Sequence, residues 1–279
     1  MTERMMHVNG VELCVETFGD AADPTVLLVH GASASMLWWE AELCARIAAG
    51  GRHVIRFDNR DTGRSVSYPP GRPGYSLRDM TEDALGILDV LGVERAHVVG
   101  RSMAGAIAGM AAIDHPERVA SLAMVCTTPG LPGLPPMSPE FLAYTARSPD
   151  ASDPAAVVDF VVGLMKAYSG GSPYHDEAAV RAIAEADIAR ATSIAATLIN
   201  HFVLDFDAPA KGGLGDITAP TLVVHGELDP VFPLPHGEAL RDAIPGAELL
   251  VLDRAGHEVP APLWDVFADA LLAHTSRRP

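Results

Sequence analysis

The sequence contains little positive charge, few cysteines and no apolar run long enough to cross a bilayer. Its 20 Lys and Arg residues face 36 Asp and Glu residues, which gives a formal net charge of −16. Nucleic-acid binding requires a basic surface that meets phosphates, and an acidic chain is repelled by anionic membranes. We therefore expect neither a nucleic-acid partner nor a membrane partner. Residues 1–7 also lack the apolar segment of an export signal.

The cysteines and histidines argue against a metal centre or a disulfide framework. Cys14, Cys44 and Cys126 are odd in number and far apart, so we interpret them as reduced core thiols of a cytoplasmic protein. The histidines lack metal-ligand spacing, and we expect neither a metal nor another cofactor. Hydrophobic residues make up 48% of the 279 positions, which is enough to build one large α/β domain.

Strand-like and helix-like segments alternate along most of the chain, which is typical of a mostly parallel sheet covered by helices on both faces. A helix with a capping box at Ser76 and Asp79 is predicted to run to Gly92. Residues 106–111 and 262–274 predict two further helices. The predicted strands are residues 11–18, 25–29, 53–57, 96–99, 122–126, 221–225 and 248–252.

Residues 130–212 differ from the rest of the chain, because their pattern is helical only. They begin in a segment rich in proline and glycine, which cannot form regular structure. Helices are predicted near 139–147, at 154–168 with Ser152 or Asp153 as the cap, and from 176 to about 204. A second break at 208–213 returns the chain to strands. We therefore divide the chain into two parts of an α/β core, 1–129 and 213–279, and an inserted helical cap, 130–212.

Residues 100–105 read Gly-Arg-Ser-Met-Ala-Gly and stand between a predicted strand and a helix of small residues. A serine on a sharp strand-to-helix turn is the arrangement of a nucleophile elbow, in which the hydroxyl stands above the sheet edge. The neighbours of such a serine must be small. Ala104 stands where a second glycine is usual, and Arg101 is unusually large and charged. We expect Arg101 either to pair with a carboxylate below the elbow or to alter the pocket.

Two later loops supply an acid and a base for Ser102. Asp229 follows one predicted strand, and His257 follows the next. Loops at the carboxyl ends of parallel strands share one crevice, so these three side chains can meet there. The histidine would accept the serine proton, while the aspartate would orient the imidazole and stabilise its charged form. Glu227 and Asp253 compete with Asp229 for the role of the acid.

The chain resembles the α/β-hydrolase superfamily over essentially its whole length, and Ser102, Asp229 and His257 follow in the order of that superfamily. Within it, five motifs resemble the aclacinomycin-methylesterase-like esterases. These motifs are residues 57–65, 96–100, 229–230, 235–237 and 272–275. The resemblance implies an α/β-hydrolase fold with an inserted cap, a serine esterase, a small-molecule ester substrate and no cofactor. Because that group includes enzymes that remove a methyl ester from aromatic polyketides, it also implies a methyl ester on a bulky ring system.

In this architecture two backbone N–H groups stabilise the oxyanion that forms when the serine attacks. Met103 supplies one, and we choose Ala32, in the loop after the second predicted strand, as the other. His30 is interpreted as a structural brace of that loop, and residues 58–65 as a buried hydrogen-bonded turn. Four residues of the predicted cap are candidates for contact with the substrate: Tyr144, Met165, Tyr168 and His201.

Three other functions fit the same residues. A carbon–carbon bond hydrolase or lyase would use the same triad, as would cofactor-free haloperoxidase or perhydrolase relatives. A ligand-binding pseudo-hydrolase would keep the fold without turnover. Haloalkane dehalogenases and epoxide hydrolases resemble this fold but use an aspartate nucleophile, so Ser102 argues against both. The sequence does not indicate an oligomeric state.

Overall fold

The described strands form one sheet with a long parallel centre. The computed structural model describes residues 3–205 and 210–276. Its strands are β1 Arg4–Val8, β2 Val11–Phe18, β3 Thr25–Val29, β4 His53–Phe57, β5 Ala96–Arg101, β6 Val119–Val125, β7 Thr221–Gly226 and β8 Glu248–Leu252. Their order across the described sheet is β1-β2-β4-β3-β5-β6-β7-β8. The pairs β1 with β2 and β2 with β4 are antiparallel, and the remaining pairs are parallel.

Helices cover the sheet on both faces, because the central strands are apolar on both sides. The helices are α1 Ala41–Ala49, α2 Leu77–Val90, α3 Ala104–Asp114, α4 Pro139–Thr145, α5 Pro154–Tyr168, α6 Glu177–Arg190, α7 Ile194–Ile199, α8 Pro235–Ala243 and α9 Trp264–Thr275. Leu27 and Val29 of β3 pack in one core cluster with residues of α2, α3 and α8. Val26 and Leu28 pack in the other with residues of α1 and α9. The predicted parallel sheet with two covered faces is therefore confirmed.

Local sequence signals set several helix ends as predicted. The capping box of α2 is present, with Ser76 and Asp79 bonding to each other's backbone N–H groups. Asp153 caps α5 through two backbone N–H groups. The prediction of one helix from 176 to about 204 is wrong, because the chain breaks after α6. There the N–H of Thr192 donates to the carbonyl of Gly63 at 2.7 Å, and Ser193 begins α7 as its cap.

Among the described strands and helices, three were not predicted: β1, α1 and α8. β1 pairs with β2 through a hairpin whose turn is Asn9-Gly10. Both turn residues have positive φ, 47° and 79°, as a tight type I′ turn requires. The Asn-Gly pair is thus the sequence signal that identifies β1.

The chain between β6 and β7 contains α4, α5, α6 and α7, and it covers the segment predicted as the cap, 130–212. Residues 208–209 of the predicted second break lie outside the described residues. In the part of the chain that the structure describes, no helix has the length and apolar character that a membrane span requires.

Candidate active site

Ser102 occupies a sharp turn between β5 and α3. Its φ is 55°, a left-handed conformation that costs a residue other than glycine about 1–3 kcal/mol. The neighbouring strand holds the turn in place. The N–H of Ser102 donates to the carbonyl of Val125 at 2.9 Å, and its carbonyl accepts from the hydroxyl of Thr127 at 2.8 Å. The predicted strand, turn and helix around the serine are all present.

Close backbone approach around this turn requires glycine at three positions. A Cβ on Gly100 would run into the carbonyl of Ala104, and one on Gly105 would run into the side chain of Thr127. A Cβ on Gly31 would lie 2.8 Å from the Cβ of Ser102. Ala104 itself is fully buried and its methyl group is accommodated. The alanine at the usual glycine position therefore leaves the elbow intact.

The side chains of Ser102, His257 and Asp229 form a continuous chain of contacts. Nε2 of His257 lies 3.0 Å from Oγ of Ser102, and Nδ1 lies 2.8 Å from Oδ2 of Asp229. An ionised carboxylate only accepts hydrogen bonds, so Nδ1 carries the hydrogen and Nε2 is free to accept the hydroxyl proton. His257 and Asp229 are buried, whereas Ser102 is partly exposed. The structure thus brings together the three residues that the sequence singles out.

The carboxylate of Asp229 is fixed and kept ionised. The N–H groups of Val231 and Phe232 donate to Oδ1 at 2.8 and 2.9 Å. Burial acts to raise the pKa of Asp229, but its interactions with His257 and His225 and the Phe232 N–H outweigh burial and hold that pKa below its ordinary value. His225, which is not among the residues predicted from the sequence, is buried 3.6 Å from Oδ2. It stands four residues before Asp229 on β7, a position that could have identified it.

The two competing carboxylates lie apart from the imidazole. Oε2 of Glu227 accepts the N–H of Arg254 at 2.9 Å. Asp253 forms an exposed ion pair with Arg254 at 3.5 Å. Among these three candidates in the described part of the chain, Asp229 is the one that contacts His257.

Two backbone N–H groups beside Ser102 are available to a ligand. Within residues 3–205 and 210–276, the N–H groups of Ala32 and Met103 donate to no protein acceptor. Ala32 belongs to the loop after β3, and Met103 stands at the start of α3, where the helix dipole adds partial positive charge. Both residues border the cavity above the serine. They can therefore stabilise negative charge that develops next to Oγ.

Buried polar groups brace the loop that carries Ala32. The side chain of Asn59 donates to the carbonyl of His30 at 2.9 Å, and the rings of His30 and Trp39 pack edge to face at 5.9 Å. The segment 58–65 is a turn that is buried except at Arg64, and its Ser65 hydroxyl donates to the carbonyl of Asp58 at 2.6 Å. The supporting positions expected for His30 and for this turn agree with these contacts.

Arg101 joins the loop after β3 to the loop of the histidine. Its Nη2 donates to the carbonyl of His257 at 2.8 Å, and its Nη1 lies 3.2 Å from Nε2 of His30. A guanidinium has only donors, so Nε2 of His30 accepts. Burial, and in second place the charge of Arg101, lowers the pKa of His30 well below its ordinary value, so the ring is neutral. Arg101 forms no ion pair within the described residues; of its two expected roles, the structure gives contact with the pocket.

Two aromatic rings hold the imidazole of His257. Tyr168, at the end of α5, stacks on it with centroids 5.1 Å apart, and Phe232 packs against it at 5.6 Å. The carbonyl of Tyr168 also accepts the N–H of His257 at 2.8 Å. A Cβ on Gly256 would run into that carbonyl, so this contact depends on glycine. The end of α5 is therefore packed directly on the histidine loop.

Two cavities of very different size meet at Ser102. The larger has a volume of about 710 Å³ and mostly apolar walls, to which α5, α6 and α7 contribute. The smaller has a volume of about 40 Å³ and is bordered by His30, Arg101, Tyr168 and His257. Only the smaller one includes His257 in its described walls.

The four residues predicted to contact a substrate occupy different places. Met165, Tyr168 and His201 border the larger cavity. Tyr144 is not part of its described wall: its hydroxyl donates to the carbonyl of Phe160 at 2.9 Å, and the two rings pack at 5.5 Å. Phe160 forms the wall at this point, with Tyr144 behind it.

One group of potential metal ligands lies within the site. Single ligand atoms of Cys126, Asp229 and His257 lie within 4.8 Å of one another. Burial raises the pKa of the Cys126 thiol to about 12, so the sulfur keeps its proton at neutral pH. Metal binding needs the thiolate, and the other two groups already bond to each other. We therefore assign no metal to these residues.

Comparison with known proteins places these features in a family. A family model described as the alpha/beta hydrolase fold matches residues 24–261. The rhodomycin D methylesterase DauP of Streptomyces sp. (strain C5) is 32% identical, and the alignment covers 99% of this chain and 98% of that protein. The rhodomycin D methylesterase DnrP of Streptomyces peucetius is 30% identical, with the same coverage of 99% and 98%.

A solved structure supports the fold independently. The enol-lactonase from Burkholderia xenovorans LB400 superposes with a TM-score of 0.78 at 24% identity, over 98% of this chain and 100% of that chain. The predicted enzyme class, a carboxylic ester hydrolase, is confirmed by the full-length esterase relatives together with the family match. The chain belongs to the alpha/beta hydrolase fold family.

Proposed function

We propose that the chain is a serine esterase that removes a methyl group from the ester of a bulky, largely apolar acid. The observation that carries this proposal is the pair of unequal cavities, about 710 and 40 Å³, that meet at Ser102. The two full-length relatives, both named as rhodomycin D methylesterases, agree with such a substrate.

Ser102 is the proposed nucleophile. As its Oγ attacks the ester carbonyl carbon, the hydroxyl proton moves to Nε2 of His257, 3.0 Å away. Asp229 stabilises the resulting imidazolium without taking its proton. The carbonyl oxygen becomes an oxyanion that accepts hydrogen bonds from the N–H groups of Ala32 and Met103. Each such donor contributes about 100- to 1,000-fold to kcat.

Breakdown of this intermediate releases the alcohol. His257 gives its proton to the leaving oxygen, the carbon–oxygen bond breaks, and the acyl group stays on Ser102. Water then enters, loses a proton to His257 and attacks the acyl carbon. The acid leaves, and the proton returns to Oγ. These two half-reactions use the same three side chains.

The positions of the cavities support a placement of the two parts of the ester. The leaving oxygen must lie within reach of Nε2 of His257, and the smaller cavity is the one that His257 borders. A water molecule needs about 10–15 Å³ of such volume, so 40 Å³ accommodates an alcohol as small as methanol. The acyl group then occupies the larger cavity, whose walls favour rings and alkyl groups.

Residues 130–212 are proposed to act as a cap over a core formed by 1–129 and 213–279. The end of α5 supports this role, because Met165 and Tyr168 border both cavities. The cap therefore sets the shape of the acyl site, whereas the core provides the reacting groups.

A panel of esters tests the proposed function. Methyl, ethyl, propyl and butyl esters of one polycyclic aromatic acid are compared with aryl acetates and with a 1,3-diketone, using Ser102→Ala as the control. We expect the highest kcat/KM for the methyl ester, a decrease with each added carbon, and no turnover by Ser102→Ala. Equal rates for methyl and butyl esters would contradict the methyl assignment. Cleavage of the diketone without ester turnover would favour a carbon–carbon bond hydrolase instead.

A further inference from the structure

His201, which follows α7, connects the inserted helices to the loop beside Ser102. Its Nδ1 accepts the backbone N–H of Ser33 at 3.0 Å, and its Nε2 lies 2.8 Å from the carbonyl of Arg60. The side chain is buried, with 2% of the residue exposed. One imidazole thus bonds to two core segments, one of which is the loop that carries Ala32.

The two partners of His201 fix its tautomer. A carbonyl oxygen only accepts, so Nε2 carries the hydrogen and Nδ1 offers its lone pair to Ser33. Burial lowers the pKa of His201, which keeps this ring neutral and the lone pair available. His201 can therefore accept the N–H of Ser33 at neutral pH.

The backbone N–H of Ser33 needs a hydrogen-bond acceptor to stabilise the strained conformation of this residue. Its φ is 56°, and a residue other than glycine in this region is strained by about 1–3 kcal/mol. The N–H of Ser33 belongs to the peptide that directly follows Ala32. The N–H of Ala32 belongs to the preceding peptide, and the two peptides share the Cα of Ala32. A displacement of the Ser33 peptide that moves this Cα would therefore also move the Ala32 N–H away from the oxygen above Ser102.

We propose that His201 is a positioning residue, which holds the Ala32 N–H in the orientation that the oxyanion requires by accepting the N–H of Ser33. This inference rests on the proposed function, because the oxyanion role of Ala32 belongs to it. It assigns to the inserted helices a part in building the catalytic centre, in addition to shaping the acyl site.

Other contacts anchor the same helix end, so His201 is not needed for that purpose. The hydroxyl of Thr197 donates to the carbonyl of Asp61 at 2.7 Å, and the side chain of Asn200 donates to its carboxylate at 2.9 Å. Variants of His201 should therefore keep α7 in place and fold.

Two substitutions separate the two bonds of His201. In His201→Asn, the side-chain oxygen can occupy the place of Nδ1 and accept from Ser33, while the bond to Arg60 is lost. In His201→Gln, the longer side chain can donate to Arg60, while the acceptor for Ser33 is lost. We expect kcat to fall about 10- to 100-fold in His201→Gln and about threefold or less in His201→Asn, because a small displacement of an oxyanion donor is costly.

Inhibitor affinity distinguishes positioning from general support. A trifluoromethyl ketone of the same acyl group forms a tetrahedral adduct on Ser102 and mimics the oxyanion. Its affinity should fall in proportion to kcat/KM in His201→Gln. Binding of the intact methyl ester, measured in a Ser102→Ala background, should be unchanged. His97→Asn is the matched control, because His97 is a buried histidine bonded to Ser121 at 2.9 Å at the opposite end of β5.

The outcomes are distinct. Equal kcat in the wild type and His201→Gln would overturn the proposal, and so would equal losses in His201→Asn and His201→Gln. A loss of ester binding that matches the loss of kcat would also overturn it, because it would assign His201 to substrate binding. Full activity in Ser102→Ala would instead overturn the proposed function, whatever His201 does.

Discussion

The guanidinium of Arg101 donates a hydrogen bond of 2.8 Å to the carbonyl oxygen of His257. The residue before the proposed nucleophile thus holds the backbone of the proposed base. A second contact, 3.2 Å long, connects the same side chain to His30 at the start of the loop that carries Ala32. Arg101, the last residue of β5, therefore links the segments that follow β3 and β8.

Replacing Arg101 should impair the reaction more than the fold. In Arg101→Met we expect kcat to fall about tenfold, because both loops lose a shared donor and the reacting groups shift slightly. Kinetics with a methyl ester, together with urea unfolding, would measure the two effects. Arg95→Met is the matched control, since Arg95 also donates to a backbone carbonyl, that of Val119, away from the site. A wild-type kcat in Arg101→Met would show that the contacts of Arg101 do not position the reacting groups.

The elbow offers a pair of adjacent substitutions with opposite expectations. Ala104→Gly restores the usual residue and should cost at most about 1 kcal/mol of stability with kcat unchanged, because Ala104 is the first residue of α3 and the cost of glycine in the middle of a helix is an upper bound there. Gly105→Ala places a Cβ against Thr127, whose hydroxyl holds the carbonyl of Ser102. We expect it to cost about 1–3 kcal/mol and to lower kcat. Unfolding free energies and kcat of both variants check this; equal behaviour of the pair would show that the close contact at Gly105 is unimportant.

The smaller cavity should be adjustable from α5. Met165 borders both cavities, and Met165→Ala removes side-chain volume next to Ser102. We expect the ratio of kcat/KM for butyl over methyl esters to rise about tenfold, since space for added methylenes is worth about 1–3 kcal/mol. Phe141→Ala is the control, because Phe141 borders the larger cavity alone. An unchanged ratio in Met165→Ala would place the alcohol elsewhere.

One carboxyl group near Arg101 makes stability depend on pH. Burial raises the pKa of Glu40 from 4.5 to about 7. Between these values the folded chain holds a proton that the unfolded chain has released, so this contribution to stability is complete below pH 4.5 and is lost as the pH rises through 7. Glu40→Gln removes this proton exchange. The variant should therefore lose less stability than the wild type between pH 5 and 8.

Thermal or urea unfolding at several pH values measures the difference. Glu42→Gln is the control, because the side chain of Glu42 is 67% exposed and pairs with Arg46 at the surface. If the free energies of unfolding of Glu40→Gln and the wild type change equally with pH between 5 and 8, the folded wild type does not hold an extra proton on Glu40 in this range.

The sequence predicts the central sheet well because the physical signals are local. Continuous apolar runs identify β3 and β7, which are buried throughout, and the capping box identifies the start of α2. The break between α6 and α7 could not be predicted, because it depends on a bond from Thr192 to Gly63 in a distant loop. The loops of Asp229 and His257 were predicted from their order along the chain and the topology of parallel strands.

The supporting residues of the site depend on tertiary contacts that no local pattern encodes. The stacking of Tyr168 on His257 joins the end of α5 to a loop that is distant in the sequence. The bond from Arg101 to the carbonyl of His257 requires the elbow to meet the histidine loop. The bond from Ser33 to His201 requires the loop after β3 to meet the segment that follows α7. The sequence indicates that Arg101 is unusual and that Tyr168 and His201 are candidates for substrate contact. It does not indicate their partners, because those lie in distant segments that only the fold brings together.

Covalent catalysis by Ser102 can be detected by trapping the acyl-enzyme. The protein is mixed with a methyl ester of a polycyclic aromatic acid, quenched in acid within milliseconds to seconds, and analysed by intact-mass and peptide mass spectrometry. We expect a mass increase equal to the acyl group, located on the peptide that contains Ser102 and absent from Ser102→Ala. Ester hydrolysis by Ser102→Ala at the wild-type rate, with no acyl adduct on the wild-type protein, would contradict it.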